Sequence, residues 1–291
     1  LKKVHAMTIE IRPIKPGDAE ACGRICHAAF HKISTDHSFP PDFPSPEAAT
    51  GLIKMMIAHP EIYGVVAEAD GRIAGSNFLW EQSQVAGVGP ITVDPQAQNG
   101  QIGRRLMDGV LARSAEKGWP STRLVQAAYH NRSLSLYTKL GFDPCEPLST
   151  IQGPPLNQRI AGYAVRAATA QDIDACNRVC HSVHGHDRVG EVRDAIGRGF
   201  ATVVEHDGAI TGYATVIGFF GHAVGATNTE LKALIAAAPA IAGVGMLVPT
   251  RNADLLRWCL AHGLRIVQPM TLMSRGLYNE PKGAFLPSIL F

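Results

Sequence analysis

The sequence predicts a mixed α/β protein built from two tandem copies of one domain, residues 1–152 and 153–291. Three observations predict it. Apolar residues along the first half alternate between a period of two and a period near 3.6, so strands and helices follow one another. The stretch Ile11-Arg12…Asp18…Ala21-Cys22…Arg24-Ile25-Cys26-His27 returns at a constant offset as Val165-Arg166…Asp172…Ala175-Cys176…Arg178-Val179-Cys180-His181. Asp70-Gly71…Gly75 returns as Asp207-Gly208…Gly212, each time a strand, a tight turn and a strand. The breaker-rich Gln152-Gly153-Pro154-Pro155 lies between the copies.

In the first copy a strand over 8–14 leads to a helix over 17–31. Cys22 and Cys26 then fall one turn apart, as Cys176 and Cys180 do in the second copy. That spacing could offer two thiolates to zinc, but no second ligand pair lies nearby, so burial on an apolar helix face is expected and no metal is. A helix over 46–59 and strands over 62–69, 72–82 and 86–93 follow. The helix over 101–117 carries an apolar face of Leu106, Met107, Val110 and Leu111 that would pack on a sheet. A strand over 122–128 leads to a helix over 132–140, capped by Asn131 and stopped by Gly141. A hairpin to about 152 would close the copy.

Composition narrows the function. With 46% apolar and 18% charged residues, the chain suits a packed protein long enough for two domains. A net charge of +2 gives no reason to expect nucleic acid as a partner. No apolar run reaches the roughly 20 residues needed to cross a bilayer. Leu1-Lys2-Lys3 precedes no apolar core of a secretion signal, so a cytoplasmic location without membrane attachment is expected. His181, His184, His186 and Asp187 form a cluster better read as a polar connector than as a metal site. The apolar Ala284–Phe291 reads as a strand-like tail packing on another surface.

Residues 91–106 read as a strand, a glycine-bearing turn and a helix start. Amides at a helix start lack intrahelical acceptors and face the positive end of the dipole, so this order can cradle a phosphate. Together with Asn131…Leu136-Tyr137…Leu140-Gly141-Phe142, in that order and separation, the segment resembles the GCN5-related N-acetyltransferase (GNAT) family over roughly residues 8–150. One departure stands out: Gln101 occupies a position where the family carries glycine, and Gly100 lies one place early.

The resemblance implies a sheet that splays open between strands 86–93 and 122–128, and acetyl-coenzyme A as co-substrate, with no metal. Its diphosphate would rest on Gln98, Asn99, Gly100, Gln101, Ile102, Gly103 and Arg104. Its arm would run along Ile91, Thr92 and Val93, with Asn131 and Ser133 nearby. Tyr137 would protonate or hydrogen-bond the departing thiolate. Glu81 is the first candidate for general base and His130 the second, with water as a third route. The resemblance thus implies N-acetylation of a primary amine on a small molecule or peptide, by direct attack. The alternative is a non-catalytic acyl-coenzyme A sensor or scaffold.

The second copy lacks these features. Nothing between Gly212 and Gly243 resembles the glycine turn, and Thr227-Asn228-Thr229-Glu230 offers a self-capped helix start instead. Trp258 or Cys259 stands where Tyr137 would fall. The trailing copy is expected to keep the fold while losing the cradle, and to close the sheet, shape the acceptor pocket or mediate association, a homodimer included.

Overall fold

The computed structural model describes residues 8–97 and 101–290, which fall into two compact units. One runs to Glu81 and resumes over Ala86–Thr122; the other takes Gln82–Val85 and everything from Arg123.

The first unit is ordered β1 (Ile9–Pro13), α1 (Ala19–Asp36), α2 (Pro46–Ala58), β2 (Ile62–Ala69), β3 (Arg72–Trp80), β4 (Val85–Val88), β5 (Thr92–Val93) and α3 (Ile102–Glu116). Strands β1 to β4 pair in sequence order, antiparallel, and β5 pairs with β3. Two apolar stripes drive the packing. Cys22 and Cys26 of α1 and Ala49, Ile53 and Met56 of α2 lie with Val66 and Phe78 in one fully buried cluster. Each large side chain buried there contributes about 1.5–3 kcal/mol. The two helices approach closely at Gly23, where a Cβ would stand 2.2 Å from Thr50 Oγ1. On α3, Leu106, Met107 and Val110 are fully buried, as their spacing predicts.

The strand expected over 86–93 is interrupted. Gly89 takes a φ of +139°, open to glycine, and Pro90 has no N–H to give to a ladder. The Trp80 indole N–H instead donates to the Gly89 carbonyl at 2.8 Å. The first helix also runs on past 31, to Asp36.

The second unit begins within β6 (Ser121–Ala127) and continues through α4 (Asn131–Lys139), β7 (Asp143–Gln152), β8 (Ala164–Ala167), α5 (Ile173–His184), α6 (Val189–Gly197), β9 (Thr202–His206), β10 (Ala209–Ala214), β11 (Ala223–Gly225), α7 (Asn228–Ala237), β12 (Met246–Pro249), α8 (Ala253–Ala261), β13 (Arg265–Gly276) and β14 (Ala284–Leu286). One run of strands is ordered β6-β13-β7-β12, the other β14-β11-β10-β9-β8. The hairpin expected to end near 152 does not form. Strand β7 lies between β13 and β12, antiparallel to both, with Leu148 opposite Met270 on one side and Pro249 on the other. The last strand of the first sequence copy is thus paired with two strands of the second.

The sequence repeat is a structural one. Arg12 makes two hydrogen bonds to Asp18, at 2.7 and 2.9 Å, and two more to Glu68, tying β1 to the start of α1 and to β2. Arg166 does the same with Asp172, at 2.8 and 2.9 Å, and with Glu205. In both places the guanidinium fork holds the aspartate carboxyl well below the usual carboxylate range. Cys22, Cys26, Cys176 and Cys180 are all fully buried, and burial pushes their thiols up, Cys22 and Cys180 to about 11.

Candidate active site

Helix α3 begins without the usual devices. Its N-cap is Gln101, whose side chain makes no capping hydrogen bond, and its first turn holds no acidic residue. Arg104 and Arg105 stand there instead, cations at the positive end of a helix dipole, where an isolated helix disfavours them. Arg105 reaches back to the Ile9 carbonyl at 2.9 Å and Arg104 lies 3.8 Å from Asp108. Ile102 is buried, so the amides that open the helix are presented by an anchored turn. A diphosphate fits this donor set on both hydrogen bonding and charge.

Gln101 itself has a φ of +63°, the left-handed region. Glycine would adopt this conformation freely; here it is held with a side chain in place, at about 1–2 kcal/mol of strain. Gln101→Gly is therefore expected to raise stability by roughly 0.5–1 kcal/mol after the added flexibility of unfolded glycine is deducted. A urea midpoint that falls instead would show that the side chain has contacts of its own.

Thr92 and Val93 pair with Ser76 and Gly75 of β3, and the Thr92 and Ser76 hydroxyls lie 3.4 Å apart. A Cβ on Gly75 would stand 2.5 Å from the Thr92 carbonyl, so only glycine lets β5 come this close. Ile91 lies before β5 rather than within a strand. Glu81, at the end of β3, accepts from Arg113 Nε at 2.9 Å and from Nη2 at 3.4 Å.

The second unit carries the other expected residues. The N-cap of α4 is His130; Asn131, expected as the cap, is the first helical residue. Ser133 Oγ lies 2.5 Å from His130 Nδ1. Tyr137 is 6% exposed, edge-on to Phe142 at 6.2 Å, and burial pushes its pKa up to about 12. It keeps its proton throughout the neutral range. Gln126 on β6 escaped sequence reasoning: it is buried, and neither its amide oxygen nor its nitrogen has a partner. The only signal was an amide within the short apolar stretch from Leu124 to Ala128.

Of the residues expected at the site, Ile91, Thr92, Val93, Gln101, Ile102, Gly103, Arg104 and Glu81 belong to the first unit, and Asn131, Ser133 and Tyr137 to the second. Gln98, Asn99 and Gly100 lie outside the described residues.

The trailing copy answers the same positions differently. At the start of α7, Glu230 accepts from the Thr227 amide at 2.9 Å and from its hydroxyl at 2.5 Å, while Thr227 caps the helix. The chain's own carboxylate sits where an anion would. Strand β14 pairs with β11, Phe285 opposite Val224, and its Ala284 and Leu286 join Met246 and Val248 of β12 in one buried core. The space between β11 and β12 is thereby filled from within. Asn252 caps α8, and Cys259 of that helix is fully buried. Among the described residues no group of three or more His, Cys, Asp or Glu side chains is arranged to hold a metal ion.

Residues 28–142 match the model of the acetyltransferase (GNAT) family. An IAA acetyltransferase from Azospirillum brasilense is 29% identical over 104 residues, 35% of this chain and 67% of that protein. Among solved structures, a candidate acetyltransferase from Pyrococcus horikoshii superposes with a TM-score of 0.75 at 17% identity, over 97% of this chain and 94% of the other. A GCN5-related N-acetyltransferase from Sphaerobacter thermophilus gives 0.60 at 16% identity, over 94% and 96%. A tandem GNAT protein from the clavulanic acid biosynthesis pathway gives 0.55 at 16%, over 92% and 98%. At such identities the structural likeness concerns the fold, which is that of tandem GNAT proteins.

Proposed function

We propose that this chain, which carries a GNAT-family acetyltransferase domain over residues 28–142, transfers an acetyl group from acetyl-coenzyme A to a primary amine of a small molecule or peptide. The observation that carries this reading is the contrast between two helix starts in one molecule. That of α3 has no side-chain cap and two arginines in its first turn, whereas that of α7 is closed by Glu230. Of these two helix starts, that of α3 is the one left open to a diphosphate.

The bound thioester supplies an activated acyl group with a good leaving group. Amides at the start of α3, with Arg104, would hold the diphosphate; Ile91, Thr92 and Val93 would serve the arm; Asn131 and Ser133 would serve the thiol end. As the amine nitrogen bonds to the carbonyl carbon, the carbon–sulfur bond breaks, the amine gives up a proton and the sulfur carries the negative charge. Tyr137 would meet that charge. A phenol near 12 is a weaker acid than a thiol near 8.5, so it donates a hydrogen bond and keeps its proton. The amine's proton leaves through Glu81, through His130 or to water.

Family membership and the intact phenol support an enzyme over a sensor. The test is thiol release from acetyl-coenzyme A by purified protein across a panel of small amines and amino-terminal peptides. Acceptor-dependent release is the expected result. Tight cofactor binding without release on any acceptor would instead favour the sensor. Repeating the pH profile with Glu81→Gln assigns the base: an unchanged acidic limb removes Glu81 from that role.

A further inference from the structure

We propose that the second unit holds one buried monoatomic anion, chloride under ordinary conditions, against Arg123. Arg123 on β6 is only 5% exposed. Its Nη1 lies 3.4 Å from His186 Nε2, its guanidinium stands over the Tyr278 ring at 5.0 Å, and its Nε has no partner. The Tyr278 hydroxyl is likewise shut off from solvent without a partner. Both residues line a cavity of ≈ 10 Å³ together with His184, His186, Arg188 and His222. That is room for one water-sized particle.

The charges around it do not balance. Arg188, also 5% exposed, is paired with Glu191 at 3.0 Å. Asp187 lies outside the cluster, 44% exposed and beside His181. The three buried histidines are neutral: burial and the neighbouring guanidiniums hold His184 and His222 well below the usual imidazole range and His186 down to about 4. Burial draws Arg123 down only to about 10, so it stays charged at neutral pH. Among the described residues no carboxylate pairs with Arg123, and a buried unpaired cation is among the costliest features a fold can carry. A water molecule would satisfy the two orphan donors and leave the charge. A phosphate or carboxylate is too large for the space, and a metal cation has the wrong sign. A halide answers the donors and the charge together, and would tie β6 to the α5–α6 connection and to the segment around Tyr278.

Crystals soaked in sodium bromide test this directly. An anomalous peak within hydrogen-bonding distance of Arg123 Nε and the Tyr278 hydroxyl is expected; an ordered water there with no anomalous signal overturns the proposal. In solution the full chain is expected to melt about 3 °C higher in chloride than in gluconate at equal ionic strength. Tyr278→Phe should shrink that difference and Arg123→Met should abolish it. Equal melting of the unaltered protein in the two salts also overturns the proposal, whether or not the Arg123 variant folds.

Discussion

Arg104→Glu is expected to weaken acetyl-coenzyme A binding several-hundredfold while making the protein slightly more stable. Position 104 is the third residue of α3, as Glu230 is of α7. The substitution therefore writes into the leading copy the feature that closes the trailing one. Losing a cation beside a diphosphate and placing a carboxylate at the same amides together cost about 3–4 kcal/mol, at 1.5–3 kcal/mol for each charged contact. The isolated helix gains, since an acid at its N-terminus is worth about 0.3–1 kcal/mol. Opposite signs in calorimetric titration and in melting separate this from damage to the fold. Unchanged affinity would place the diphosphate elsewhere.

Tyr137→Phe is expected to lower kcat about 30-fold with little change in KM for the acyl donor. Removing a hydrogen bond to a charged acceptor costs about 2 kcal/mol, and the thiolate exists only as the carbon–sulfur bond breaks. The phenyl ring preserves the edge-on contact with Phe142, so the fold is unaffected. Because the phenol stays protonated up to about 12, it adds no limb to the neutral pH profile. A basic limb near neutrality that vanished in the phenylalanine variant would show full proton transfer instead.

Much of this was legible in the residues because it is local. The apolar face of α3, the paired cysteines and the turn at Asp70-Gly71 each follow from spacing over a few residues, and the Arg12–Asp18 clamp announced itself by recurring as Arg166–Asp172. What escaped was set by distant chain. Nothing within Asp143–Gln152 says that its partners are residues 246–276, because strand pairing is specified by the partner's surface as much as by its own. The break at Gly89-Pro90 was written in plain residues, yet the apolar run on either side outweighed it. The shift of the α4 cap from Asn131 to His130 is a one-residue matter of backbone geometry. Arg123 sat unnoticed in a strand because a charged residue there ordinarily faces water.

Strand β7, held on both flanks by β12 and β13, also decides what a protease could accomplish. Nicking the connector between Gln152 and Ala164 would cut the polypeptide without parting it, since the severed end would remain clasped by the fragment it had left. The duplication has become a splice: neither stretch of sequence can leave without taking the other's neighbours with it.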